Sequence, residues 1–65
     1  MNIQLNGETH TTNAKNLQEL LHEIELDEAV VATALNSEFI AVEERGAATL
    51  KEGDRVEILA PMQGG

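Results

Sequence analysis

Few residues in this chain offer chemistry, and the last two stand out. The sequence ends in Gly64-Gly65, just beyond the segment that reads as its final strand. Glycine has no Cβ, so such an end can enter a channel too narrow for any other residue. It also leaves the α-carboxylate of Gly65 unhindered, as a group on which another enzyme acts would have to be. A random chain ends this way roughly once in 200, with glycine at about 7% of average usage; chance and a trimmed scar are the bland alternatives.

The remaining candidates are weaker. His10 and His22 fall on different elements, and nothing near them has the spacing of a zinc site or a catalytic triad. The pairs Asp27-Glu28 and Glu43-Glu44 could serve as acid and base. They fall in predicted loops of a chain too small to desolvate them, so solvated charge is the better reading. No glycine-rich phosphate loop or calcium-loop pattern is present. With no cysteine, disulfides, Cys-based zinc or iron–sulfur sites and thiol nucleophiles are excluded.

Size and charge narrow the classes further. The 65 residues make one small domain, and chains of this length bury only about 60% of their unfolded surface. A core that thin rarely also encloses a substrate pocket, which argues against a stand-alone enzyme. Twelve acidic and four basic side chains give a net charge of −8. Phosphate backbones and anionic membranes would be repelled, so neither nucleic acid nor membrane is an expected partner. The start, MNIQLNGETH, lacks the basic and apolar stretches of a signal peptide, and a cytoplasmic location is expected.

The elements that must position the tail follow from periodicity. Ile3 and Leu5 alternate with polar residues as in a half-buried strand. Asn6-Gly7 signals a two-residue hairpin turn needing positive φ at both positions, with the return strand over Glu8 to Thr12. Leu17, Leu20, Leu21 and Ile24 make one helical stripe, opened by Asn16 with Glu19 three residues later. Ala29 to Leu35 is short and apolar, and predicts a central strand buried on both faces. Phe39-Ile40 reads as a short strand, Ala47 to Leu50 as an irregular or edge piece, and Glu52-Gly53-Asp54 as a turn. Arg55 to Leu59 is the last strand, with Val56 and Ile58 on one face and Leu59 out of phase. The prediction is an α+β fold, a mixed four- to five-stranded sheet with one main helix packed on one face. Residues 1–60 form the domain and 61–65 a flexible tail, whose five residues reach about 16–18 Å when extended.

This order of elements, the segments Val31 to Asn36 (VATALN) and Leu50 to Ile58 (LKEGDRVEI), and the Gly64-Gly65 end together resemble the ubiquitin-like β-grasp sulfur carriers. Within that group the chain is most similar to the ThiS family of thiamin biosynthesis, over essentially its whole length. The resemblance implies a protein substrate that is not itself an enzyme. A ubiquitin-activating-like enzyme, using ATP and magnesium in its own site, would adenylate Gly65. Sulfur from a donor such as a cysteine desulfurase would then make a thiocarboxylate, and thiazole synthase would receive it. No cofactor is expected in the chain itself, and the free protein is expected to be a monomer.

Met62, Gln63 and Gly64 would enter the partner's channel. Leu59 is the first candidate for an apolar docking patch, extended by Phe39 or Met62; core filling is an equal alternative for Phe39. Arg55 would pair with a partner carboxylate or with neighbours of Glu57. Three alternatives stay open: a different client pathway (molybdopterin, cysteine or methionine), a β-grasp module that only binds, and conjugation to lysines.

Overall fold

The computed structural model describes residues 1–26 and 29–60. Alternating side chains build β1 (Asn2–Leu5), with Ile3 sealed in the core. Asn6 and Gly7 take φ of 51° and 84°, the conformation that a two-residue hairpin with strand-like twist requires. They return the chain as β2 (Glu8–Thr11), with Leu5 opposite Glu8. The same device recurs later in the chain. Asn36 and Ser37, at 51° and 73°, join β3 (Ala32–Leu35) to β4 (Glu38–Ile40), with Leu35 opposite Glu38.

Helix α1 (Leu17–Glu23) has only seven residues, too few to be stable alone in water. Burial makes it stable here: Leu17, Leu20 and Leu21 are fully enclosed. Asn16 caps it by accepting a 2.8 Å hydrogen bond from the Glu19 amide. The Glu19 carboxylate reaches back to the amide of Lys15 at 2.9 Å, one residue earlier than in the usual reciprocal box. At the other end Glu25 turns left-handed, with φ 64°. The amide of Glu25 bonds the carbonyl of His22, and that of Leu26 the carbonyl of Leu21, the two bonds of a Schellman stop.

A 3₁₀ helix (Val42–Ala47) follows β4, and β5 (Arg55–Leu59) enters after a turn at Gly53. The sheet order is β2-β1-β5-β3-β4. Strand β5 runs parallel to β1 and antiparallel to β3, so the sheet is mixed and has five strands. Ile3, Val56 and Ile58 meet the helix leucines, with Ala14 and Leu50 completing the core.

Two expectations need correction. The strand predicted over Ala29 to Leu35 is shorter, neither central nor buried on both faces: Val30 is 82% exposed, and Ala32 also faces solvent. One helix covers one face of a sheet, and the small side chains of Ala32 and Ala34 do not demand a second cover. Strand β5 takes the centre instead. The second correction concerns Glu43-Glu44, which belong to the 3₁₀ helix and not to a loop.

Candidate functional site

Pairing register places the side chains of the uncovered face. Successive strand residues point to opposite faces, so with Val56 and Ile58 buried, Arg55, Glu57 and Leu59 must face away from α1. Ala34 lies opposite Glu57 on one side and Phe39 on the other, and Ala32 lies opposite Leu59. Phe39, Ala34, Ala32 and Leu59 thus make one contiguous apolar area, flanked by the charges of Arg55 and Glu57. Phe39 is 68% exposed and Leu59 64%. Core filling by Phe39, the alternative reading of the sequence, is excluded by that exposure. The structure therefore brings Leu59, Phe39 and Arg55 onto a single open face.

Gly65, Gly64, Gln63 and Met62 lie outside the described residues, as does the pair Asp27-Glu28. Ala60 is the last described residue, and Leu59 on the open face directly precedes it. Ala60 and the apolar patch are therefore neighbours in space as well as in sequence.

The histidines do not assemble a site. The ring of His10 faces the Glu23 carboxylate at 3.3 Å. Glu23 also accepts a 2.7 Å bond from the hydroxyl of Thr12. That hydroxyl is the main cause of a carboxyl pKa held below its ordinary value, with help from His10 and the Asn13 backbone and opposition from partial burial. The cluster ties the end of β2 to the helix. Among the described residues, no group of three or more His, Asp or Glu could hold a metal ion. No helix there is long and apolar enough to cross a membrane.

Two contributions escaped the sequence. Asn6, read only as a turn residue, clamps β5 with its side chain: Ile58 N donates to Oδ1 at 2.8 Å and Nδ2 donates to Ile58 O at 3.2 Å. Arg45 is buried at 5% exposure. Its guanidinium donates to the Thr33 hydroxyl and the Val31 carbonyl, so the 3₁₀ helix fixes the start of β3. A lone arginine among glutamates gives no periodic signal that would reveal this.

Comparison with known proteins decides the family. A sequence profile of the ThiS family matches residues 3–65. The chain belongs to the ThiS family. The sulfur carrier protein ThiS of Thermus thermophilus is 40% identical over 63 residues, covering 97% of this chain and 98% of the relative. The crystal structure of the ThiS thiamine biosynthesis protein from Geobacter metallireducens superposes with a TM-score of 0.85 at 38% identity, over the full length of both chains. A solution structure of a thiamine biosynthesis protein from the same organism gives 0.80 at 38% identity, covering 100% of this chain and 88% of the other. The ThiS-family match and these neighbours bear out the β-grasp fold expected from the sequence.

Proposed function

We propose that the chain carries sulfur for thiamin biosynthesis, as a thiocarboxylate on Gly65. The supporting observation is the coupling of family membership to an open apolar face that includes Leu59, a few residues before the Gly64-Gly65 end in the sequence. The chain is then the substrate of its partners and catalyses nothing itself. The Gly65 carboxylate attacks the α-phosphorus of ATP held by a ubiquitin-activating-like enzyme, and pyrophosphate leaves. A carboxylate is a poor electrophile, and the adenylate supplies the leaving group it lacks. The outer sulfur of a persulfide displaces AMP to give an acyl disulfide. A second thiol attacks the inner sulfur, forming a disulfide with it and leaving the outer sulfur on Gly65 as the thiocarboxylate. Thiazole synthase is the client. Phe39, Leu59 and Arg55 dock the activating enzyme, while Met62, Gln63 and Gly64 thread its channel.

The test is thiol labelling read by intact-protein mass spectrometry, after incubation with an adenylating partner, ATP and a sulfur donor. Oxidation of Met1 or Met62 adds nearly the same mass as oxygen-to-sulfur exchange, so mass alone misleads. The chain has no cysteine, so an alkylating label reports only newly acquired sulfur. Label at Gly65 that requires ATP supports the reading. No label, with an enzyme competent on another carrier, overturns it in favour of a module that only binds. Loss of thiazole synthesis on deleting Gly64-Gly65 identifies the client.

A further inference from the structure

Strand β5 loses its lateral support unevenly as it approaches the tail. On the β1 side the ladder runs only through Gln4–Arg55 and Leu5–Val56, closing with the Asn6 amide on the Val56 carbonyl at 2.9 Å. There the chain turns away into the hairpin. Ile58 has no further backbone partner in β1, and the Asn6 carboxamide takes that place by bonding both its N–H and its C=O. On the other side β3 pairs with Ile58 and Leu59 and begins at Ala32. Among the described residues, Ile58 is therefore the last held from both sides. Asn6, Ile58 and Ala60 also line one apolar groove with Leu5, Ile24 and Leu26.

We infer that Asn6 is a positioning residue for sulfur loading. Its side chain holds the end of β5 in place at Ile58, the point from which the rest of the chain must start when the domain docks. This inference rests on the carrier reading above. The physical basis is that ordering a strand end before docking removes an entropy cost from the encounter.

The other hairpin supplies an internal control. Asn36 has the same φ of 51° and clamps the opposite end of the same strand. Its Oδ1 accepts from Arg55 N at 2.9 Å, and its Nδ2 donates to the Asp54 carboxylate at 3.1 Å. Asn6→Gly and Asn36→Gly each remove two side-chain hydrogen bonds while keeping a residue that tolerates the positive φ. A purely structural role predicts like effects from both. A positioning role does not.

The experiment measures ATP-dependent adenylation of full-length wild type and both variants by an adenylating partner, together with amide exchange. The expected result is a KM for Asn6→Gly raised about tenfold with kcat little changed, and faster exchange at the Ile58 amide. Asn36→Gly should keep its KM within about twofold of wild type. If Asn6→Gly fails to fold, Asn6→Asp retains the acceptor and sets a carboxylate against the Ile58 carbonyl; its KM should rise as well. An unchanged KM in whichever Asn6 variant folds, or equal shifts from both glycine variants, overturns the inference alone. A wild-type chain that is never adenylated overturns the carrier reading and this inference with it.

Discussion

Phe39 and Leu59 stand on the same open face of the sheet, on strands separated by β3, with only Ala32 and Ala34 between them. Neighbouring strands lie about 4.8 Å apart and the register offsets the pair by two residues at about 3.4 Å each, so the two large side chains are separated by roughly 12 Å of alanine floor. Single exposed apolar residues need no explanation, whereas contiguous ones mark contact surfaces.

The first prediction separates binding from folding at this patch. Because both side chains are mostly solvent-exposed, Phe39→Ala and Leu59→Ala should change unfolding free energy by less than about 0.5 kcal/mol. Each should weaken the complex with the adenylating partner by about 1–2 kcal/mol, since large apolar anchors dominate interfaces. Calorimetric titration beside urea unfolding reads both quantities. Unaltered affinity in both variants would move the docking surface elsewhere.

Two left-handed residues without glycine's freedom supply the second prediction. Glu25 closes the helix at φ 64° and Ser37 sits in the second hairpin at 73°. A left-handed conformation costs a side-chain-bearing residue roughly 1–2 kcal/mol, partly offset by the extra freedom glycine gives the unfolded chain. Glu25→Gly and Ser37→Gly should each stabilise the domain, by about 0.5–1 kcal/mol. A raised midpoint in thermal or urea unfolding is the check.

Glu23 gives stability a dependence on acid. Its carboxyl pKa is depressed by the Thr12 hydroxyl and the His10 ring, against an ordinary value of 4.5. A depressed folded-state pKa contributes stability that is present above the unfolded value and lost as pH falls through the folded one. Wild type should therefore exceed Glu23→Gln in stability in neutral buffer, and the gap should close as pH drops below 4.5. Glu23 is partly exposed, so the gap is small and shrinks with salt. A gap that widened in acid would reverse the assignment.

Much of the fold was readable because local chemistry and long-range packing agree. Asn6-Gly7 forces a hairpin, the leucine spacing forces a helix, and Val56 with Ile58 fixes the face of β5. The exposure of Leu59 followed from that same alternation. Strand β3 departs from its expected burial because alanine and threonine suit an open face as well as a buried one, and only the number of helices decides between them. The Asn6 clamp was invisible because a turn preference for asparagine says nothing of what its side chain does across 52 residues.

Arg45 carries the last prediction, and it concerns what holds the far edge of the sheet. Its Nε donates to Thr33 Oγ1 at 3.2 Å and its Nη2 to the Val31 carbonyl at 2.7 Å, while the Thr33 hydroxyl donates to the Ile40 carbonyl at 2.9 Å. One buried guanidinium thus links the 3₁₀ helix to β3, and Thr33 extends the link to β4. Arg45→Met keeps the apolar stem and removes both donors, which should cost about 1.5–3 kcal/mol. That is a large share of the roughly 3–10 kcal/mol available to a chain of this size. Lysine offers a compact point charge in place of a fork, so Arg45→Lys should recover part of the loss. Thr33→Val deletes the shared hydroxyl. Because both residues act in one network, the double variant should cost less than the sum of the two single losses. Strict additivity in urea unfolding would show that Arg45 acts only through the Val31 carbonyl.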